Sequence, residues 1–323
     1  YICGGAMAVE NGLKAAFDWK AKKNGLSTED SYNSLQIVYL SEAFHGRSGY
    51  TMSMTNNGDP KNPKVYGFPK FSWKKVRNPK VWHDRHGRPD HGMAKNSEDM
   101  ALREAEMALS SRKVAAIVME PIQGEGGDNH FRAEFLSAMR SLAHEYEALL
   151  VFDEVQTGLC MTGRNWAYEH FGVTPDIMCF GKKVQVCGIV AGDRIDEVKN
   201  NVFTEASRIN STWGSNIVDM VRSTMQMEII QEDNLARNAA STGRYLLTKM
   251  MEIEGPVSNV RGRGLMLAFD MPSKEERDAL VAKAEDNDLL VLPCGQKSVR
   301  LRPHLDLSPS DADIVVERIK KSL

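Results

Sequence analysis

Two short apolar stretches decide the fold: VAAIVM at residues 114–119, followed by Glu120, and LLVF at residues 149–152, followed by Asp153. Each stretch has the length and composition of a buried strand, and we predict a helix between them over residues 133–146. Short apolar strands that alternate with helices are typical of a mostly parallel α/β sheet. The side chains that follow such strands lie at one edge of the sheet, where ligands bind.

The same alternation extends in both directions along the chain. Towards the N-terminus and after the second stretch we predict helices over residues 6–23 and 97–110 and strands over residues 35–40, 177–180 and 189–191. Residues 55–95 are rich in Pro, Gly, Asn and His, which indicates a long surface excursion.

The C-terminal part has a different pattern, in which helices and strands do not alternate regularly. Helical spacing runs from residue 217 to residue 230 and again to residue 251, and we predict strands over 264–269 and 289–292 and helices over 274–285 and 309–321. We therefore predict a large α/β domain over residues 1–230 and a smaller α+β domain over residues 231–323.

Composition restricts the partners. The 323 residues include 41 basic and 43 acidic side chains, so the net charge of −2 offers no basic surface for nucleic acid or an anionic membrane. The apolar stretches are too short to span a bilayer. Five scattered cysteines predict neither a disulfide framework nor a zinc site, which favours a reducing cytoplasm. Small molecules or other protein chains are the expected partners.

Ionisable residues follow three of the predicted strands. They are Glu120 and Glu125 in EPIQGEGG, Asp153 in DEVQ, and Lys182 with its neighbour Lys183. Any one of these residues, taken alone, could be a solvated loop residue. Asp153 and Lys182, however, are about one strand–helix–strand unit apart, which places them at the same sheet edge.

A lysine and a carboxylate at one sheet edge suit a pyridoxal cofactor. A lysine amine forms a Schiff base with a carbonyl, and an acidic group pairs with the pyridinium nitrogen so that the ring can act as an electron sink. Such a cofactor also needs a phosphate cradle. The turn Gly4-Gly5-Ala6, at the start of the first predicted helix, offers free backbone N–H groups and the helix dipole.

Taken in order, these motifs resemble the class III, ornithine-type, pyridoxal-phosphate aminotransferases. The matching segments are GGA at 4–6, FHGR at 44–47, EPIQGEGG at 120–127, FDEVQTG at 152–158, GK at 181–182 and RGRGLM at 261–266, extending to Arg300. GKKVQVCG at 181–188 and NSTWG at 210–214 look most like the lysine 6-aminotransferase branch of that family. The resemblance implies fold-type I, pyridoxal 5'-phosphate as cofactor and a homodimer with shared active sites.

The resemblance also implies a role for individual residues. Lys182 would carry the cofactor and move the proton, and Asp153 would keep the pyridine nitrogen protonated. Gln156 would lie near the ring hydroxyl and Phe44 on the ring face, while Gly5 and Ala6 would bind the phosphate. Thr212 would reach the phosphate of the partner subunit's cofactor.

Substrate residues follow from the same resemblance. Arg47 and Arg300 would anchor carboxylates, Asn210 would contact the substrate, and Glu125 would pair with Arg300 until 2-oxoglutarate arrives. L-lysine and 2-oxoglutarate are then the expected substrates. Ornithine, acetylornithine or 4-aminobutyrate as the amine donor, or a non-catalytic binding protein on the same fold, are the alternatives.

Some features depart from the family pattern or lie outside it. Val184–Cys187 replace a glycine-rich segment, which favours the lysine branch over the acetylornithine, ornithine and 4-aminobutyrate relatives. His304 replaces a second proline, which leaves open whether Arg300 or Arg302 is the anchor. In the family a segment precedes the Gly-Gly-Ala turn, so we expect the large domain to lack its N-terminal part. No metal site is predicted, because His83, His86 and His91 lie in the excursion.

Overall fold

A central sheet organises the N-terminal two thirds of the chain. The computed structural model describes residues 1–56, 61–84, 86–214 and 216–323. The strands of this sheet are β1 (Gln36–Leu40), β2 (Lys74–Val76), β3 (Val114–Met119), β4 (Leu149–Asp153), β5 (Ile177–Phe180) and β6 (Gly188–Ala191). Their spatial order is β2-β1-β3-β4-β5-β6, and every adjacent pair is parallel except β5 and β6. The predicted mostly parallel sheet is confirmed.

Helices cover both faces of this sheet. They are α1 (Gly5–Lys23), α2 (Glu29–Asn33), α3 (Gly49–Met54), α4 (His91–Leu109) and α5 (Ala133–Glu145). Val9 and Leu13 of α1 belong to the same buried cluster as Val151, whereas Phe135 of α5 belongs to a second cluster with Phe152. Because successive side chains of a strand point to opposite faces, β4 is buried on both sides.

The C-terminal part contains a second, antiparallel sheet. Its elements are α6 (Ile217–Glu232), α7 (Leu235–Met251), β7 (Ser258–Arg263), β8 (Met266–Asp270), α8 (Lys274–Asp286), β9 (Leu292–Cys294), β10 (Ser298–Leu301) and α9 (Pro309–Ser322). The strand order is β7-β8-β10-β9, with every adjacent pair antiparallel. The predicted mixture of helices and strands is confirmed, and the domain boundary near residue 230 stays a prediction.

The segment predicted as a surface excursion, residues 55–95, differs most from its prediction. Residues 57–60 and 85 of this segment lie outside the described residues. β2 lies in it and extends the central sheet beside β1, while Val65, Trp73 and Val81 are buried. The prediction of a surface segment was therefore wrong in part. β2 is too short and too rich in lysine to show apolar alternation, and its pairing with β1 uses only backbone groups.

Smaller differences concern element ends. α4 begins at His91 rather than near residue 97, because the side chain of Asp90 accepts a hydrogen bond from the backbone N–H of Met93 and caps the helix. The strand predicted over 289–292 lies instead at Leu292–Cys294, and β7 and β10 were not predicted. In the part of the chain described, no helix is both long and apolar enough to cross a membrane.

Candidate active site

A cavity of about 390 Å³ lies where the C-terminal ends of the central strands meet the first turn of α1. Its lining brings together most of the predicted cofactor and substrate residues. It consists of Gly5, Ala6, Phe44, His45, Gly46, Arg47, Ser48, Glu120, Asp153, Val155, Gln156 and Lys182. The position agrees with the general rule that α/β proteins bind ligands beyond the carboxyl ends of their strands.

The first turn of α1 forms one wall of the cavity. The N-cap residue Gly4 has φ +99° and no side chain, so it cannot cap the amide groups of the first turn. A Cβ atom on Gly5 would lie 2.7 Å from a methyl carbon of Val155. Glycine therefore lets the helix N-terminus approach the loop after β4, and the free N–H groups together with the helix dipole favour an anion there.

Asp153 is buried at the end of β4, and both of its carboxylate oxygens have partners. One oxygen accepts a hydrogen bond from the backbone N–H of Val155 at 3.0 Å, and the other lies 2.9 Å from Nδ1 of His45. Burial alone would lower the pKa of His45, but the hydrogen bond to Asp153 and the charges of Asp153 and Glu120 raise it. The contact with His45 thus holds the Asp153 carboxylate in place.

Sequence reasoning assigned no role to His45 or Glu120, although both belong to the family motifs. Glu120 is buried directly after β3, where its two oxygens accept hydrogen bonds from the backbone N–H groups of Phe44 at 3.0 Å and Gly124 at 2.9 Å. Burial raises the pKa of Glu120 to about 7, against the opposing charge of His45. Glu120 therefore connects the loops after β1 and β3. The sequence signal that could have identified it is its position directly after a predicted strand.

The two adjacent lysines after β5 have different surroundings. Lys182 has φ +51°, a left-handed conformation that is unusual for a residue with a side chain, and its exposed side chain lines the cavity. Lys183 donates a hydrogen bond from Nζ to the backbone oxygen of Gln156 at 2.6 Å. Burial, with the charges of Lys182 and Arg302, lowers the pKa of Lys183 to about 7. Lys182 is the amine presented to the cavity.

A second cavity of about 680 Å³ shares Lys182 and Gln156 with the first and is also lined by Arg300 and Arg302. Arg300 Nη2 lies 2.7 Å from one oxygen of Glu125, whose other oxygen lies 2.8 Å from Nζ of Lys64. Burial alone would raise the pKa of Glu125, but Lys64 and Arg300 outweigh it and lower the pKa.

Arg302 has a different partner from Arg300, because its guanidinium forms a two-pronged ion pair with Asp128. Arg300 is therefore the arginine of the Glu125 pair, as the resemblance implied. Its side chain is only 13% exposed, so it is not a solvated surface charge. Neither Lys64 nor Asp128 was identified from the sequence; Asp128 follows a glycine-rich turn, and Lys64 has no sequence signal.

Asn210 and Thr212 are the predicted site residues that lie apart from the others. Both are exposed, and neither lines the 390 Å³ or the 680 Å³ cavity. The preceding residue, Ile209, accepts a hydrogen bond through its backbone oxygen from the side-chain amide of Asn11 at 2.8 Å, which ties this segment to α1. The roles of Asn210 and Thr212 stay predictions.

Of the three excursion histidines named above, His83 packs against another histidine ring rather than in a cluster with His86 and His91. The His83 ring packs edge-on against that of His130, with their centroids 6.3 Å apart. Burial lowers the pKa of His83 to about 4. Across the described ranges, no group of three or more His, Cys, Asp or Glu side chains is arranged to hold a metal ion.

Comparisons with known proteins agree on one family. The family described as "Aminotransferase class-III" matches residues 1–323. L-lysine-epsilon aminotransferase of Amycolatopsis lactamdurans is 46% identical over 100% of this chain and 72% of its own, and 4-aminobutyrate aminotransferase of Kluyveromyces lactis is 32% identical over 99% and 71%. The solved "Lysine aminotransferase from M. tuberculosis in the internal aldimine form" superposes with a TM-score of 0.91 at 45% identity, over 99% of this chain and 73% of its own. The chain belongs to the class III aminotransferases.

Proposed function

We propose that this protein transfers the 6-amino group of L-lysine to 2-oxoglutarate with pyridoxal 5'-phosphate as cofactor, giving 2-aminoadipate 6-semialdehyde and L-glutamate. The observation that carries the proposal is the single cavity lined by Lys182, Asp153 and the first turn of α1. The choice of lysine as donor is supported by the L-lysine-epsilon aminotransferases, which are 44–46% identical, against 32% for a 4-aminobutyrate aminotransferase.

The residues of the cavity fit the cofactor. A phosphate suits the N-terminus of α1, where a Cβ atom on Gly5 would collide with Val155. A protonated pyridine nitrogen suits the buried carboxylate of Asp153. Lys182 supplies the amine that attaches the cofactor. Pyridoxal phosphate contributes an electron-withdrawing ring that accepts the electron pair of a broken C–H bond and carries the amino group between the half-reactions.

The protein residues handle the protons. Asp153 holds a proton on the pyridine nitrogen, and His45 keeps the carboxylate oriented through the 2.9 Å contact. Lys182 Nζ takes the proton from the carbon beside the reacting nitrogen and returns it during the proton shift. Lys183 cannot substitute, since its Nζ is engaged by the backbone oxygen of Gln156. Phe44 and Val155 contribute apolar surface that keeps water from the ring.

The arginine pair accommodates two unlike substrates in turn. Arg47, exposed at the first cavity, binds the carboxylate that lies remote from the reacting carbon, which is the α-carboxylate of lysine and the γ-carboxylate of 2-oxoglutarate. While lysine is bound, Glu125 neutralises Arg300, so the reacting 6-ammonium group of lysine meets no free positive charge. When 2-oxoglutarate binds, its α-carboxylate, next to the reacting carbon, replaces Glu125 on Arg300, and Lys64 remains beside Glu125. Asn210 would contact the substrate from its exposed segment.

We also propose a homodimer in which Thr212 reaches the cofactor phosphate of the partner. Thr212 and the neighbouring Trp213, which is 75% exposed, lie on the surface beside the start of α6. Ile217 and Val218 of α6 are exposed as well, which suits a protein interface. A cytoplasmic location is supported by the five cysteines, all within the described ranges and none in a disulfide.

A donor panel tests the proposal. The purified holoenzyme is given 2-oxoglutarate with lysine, ornithine, acetylornithine or 4-aminobutyrate, and glutamate formation is measured. Lysine is expected to be clearly preferred; equal or better use of another donor would move the assignment to that donor. Lys182→Ala should abolish turnover, while the matched control Lys183→Ala should retain it. Turnover that survives Lys182→Ala would contradict the proposed chemistry.

A further inference from the structure

Arg302 lies between Asp128, in the loop after β3, and Gln156, which lines the cavity. Its guanidinium pairs with both oxygens of Asp128, donates to the backbone oxygen of Leu301 at 2.8 Å, and donates to Oε1 of Gln156 at 3.0 Å. Its side chain is only 16% exposed. A planar guanidinium with several fixed acceptors has little freedom, so it can orient a neighbour.

Asp128 is itself fixed. It is completely buried, its φ of +48° lies in the left-handed region, and its backbone oxygen accepts a hydrogen bond from Nε of Arg261 at 3.0 Å. The partner of Arg302 therefore cannot follow it to a new position. A buried carboxylate with a two-pronged arginine is a strong and directional contact.

The contact with Arg302 determines which way the Gln156 amide points. Arginine only donates hydrogen bonds, so the amide oxygen must face Arg302 and the NH₂ group must face away. Among the described residues, no acceptor bonds to Nε2 of Gln156. Space for the amide comes from Gly124, where a Cβ atom would lie 2.0 Å from Oε1 of Gln156. Because Gln156 lines both cavities, its free NH₂ group is available to a ligand.

We propose that Arg302, held by Asp128, is a positioning residue that turns the NH₂ group of Gln156 towards an oxygen of the bound cofactor. The oxygen must accept a hydrogen bond, which suits the ionised ring oxygen of pyridoxal phosphate and excludes a hydroxyl that donates. This inference rests on the proposed function for the identity of the ligand. Arg302 thus has a task different from that of Arg300, two residues earlier, whose partner is Glu125.

The test uses the visible absorbance of the bound cofactor, followed against pH. In the bound cofactor, the ionised ring oxygen attracts the proton on the nitrogen that joins the cofactor to Lys182. A hydrogen-bond donor on that oxygen weakens the attraction, so removing the donor should raise the pH midpoint of the absorbance change. The variant Arg302→Gln/Asp128→Asn removes both charges together, which avoids leaving one buried and unpaired. We expect it to raise the midpoint by about 0.5 to 1 pH unit, the value of one hydrogen bond.

A double-mutant comparison separates positioning from a general structural effect. Gln156→Ala should raise the midpoint by a similar amount, and adding Arg302→Gln/Asp128→Asn to it should cause no further shift. The matched control Arg300→Gln/Glu125→Gln removes the neighbouring ion pair, which does not touch Gln156, and should leave the midpoint unchanged. A shift that persists in the Gln156→Ala background, or no shift in Gln156→Ala itself, would overturn the proposal.

A second variant covers the case in which the paired substitution does not fold. Gln156→Glu keeps an acceptor for Arg302 but has no N–H to donate, so it should raise the midpoint at least as much as Gln156→Ala. A midpoint equal to that of the parent protein would refute the role of the NH₂ group. Failure of the proposed function gives a different result, because the parent protein itself would then show no absorbance from a bound cofactor.

Discussion

Glu125→Gln is expected to shift the balance between the two half-reactions. The substitution keeps the size of the side chain but removes the charge that Glu125 places 2.7 Å from Arg300. Both side chains are largely buried, at 16% and 13% exposure, so water replaces little of the lost interaction. A hydrogen bond between two opposite charges becomes one between a charged guanidinium and a neutral amide, a loss of about 1 to 1.5 kcal/mol, or about five- to tenfold in an equilibrium constant.

The direction of the effect differs for the two substrates. With 2-oxoglutarate, the carboxylate no longer competes with Glu125, so the apparent dissociation constant should fall about five- to tenfold. With lysine, the uncompensated Arg300 repels the reacting 6-ammonium group, so binding should weaken. Rapid-mixing absorbance measurements of each half-reaction with the isolated holoenzyme give both constants separately.

Lys64→Gln is the matched control for this experiment. It removes the other partner of Glu125, which lies 2.8 Å away but is 48% exposed. Exposed ion pairs are worth about 0 to 1 kcal/mol, so the constants should change less than about fivefold. If Glu125→Gln left both constants unchanged, or changed them in the same direction, the reasoning from the Glu125–Arg300 pair would be refuted.

Three further predictions concern the cofactor cradle, pH and the core. Gly5→Ala should weaken cofactor binding, measured by equilibrium dialysis, since the new Cβ would lie 2.7 Å from Val155; unchanged affinity would contradict the close approach. The folded pKa of His45 is raised above its ordinary 6.5, so its stabilising contribution is fully present below that value and is lost as the pH rises through the raised pKa. Thermal unfolding should therefore show a larger loss for His45→Gln at pH 6 than at pH 9, and the opposite order would refute it. Phe152→Ala, at a completely buried position, should lower the free energy of unfolding by about 3 to 5 kcal/mol in denaturant titrations, and a loss below about 1 kcal/mol would contradict its burial.

The strands and helices of the central sheet were predictable because their signals are local. β3 was predicted with its observed ends, and β4 differs by one residue, since a short buried apolar run with an ionisable residue after it is typical of a strand in a parallel sheet. β2 was not predictable. Its three residues carry no pattern, and it exists because the backbone of β1 offers an unpaired edge.

Much of the cavity could also be anticipated from the sequence. Strand ends of a parallel sheet meet at one edge, so Asp153 and Lys182 were expected to lie near each other, and both line the same cavity. His45 was not assigned, because nothing in FHGR indicates that its Nδ1 meets a carboxylate 108 residues later in the chain.

The sequence by itself determined the α/β architecture, the strand-end carboxylate and lysine, and the glycine turn at the start of α1. Only the tertiary structure decided that Lys183 is engaged by Gln156, that Arg300 pairs with Glu125, and that Arg302 pairs with Asp128. The physical reason is the range of the interactions. Strands and helices follow from neighbours a few residues apart, whereas the partner of a charged side chain such as Arg302, 174 residues from Asp128, depends on how the two sheets pack.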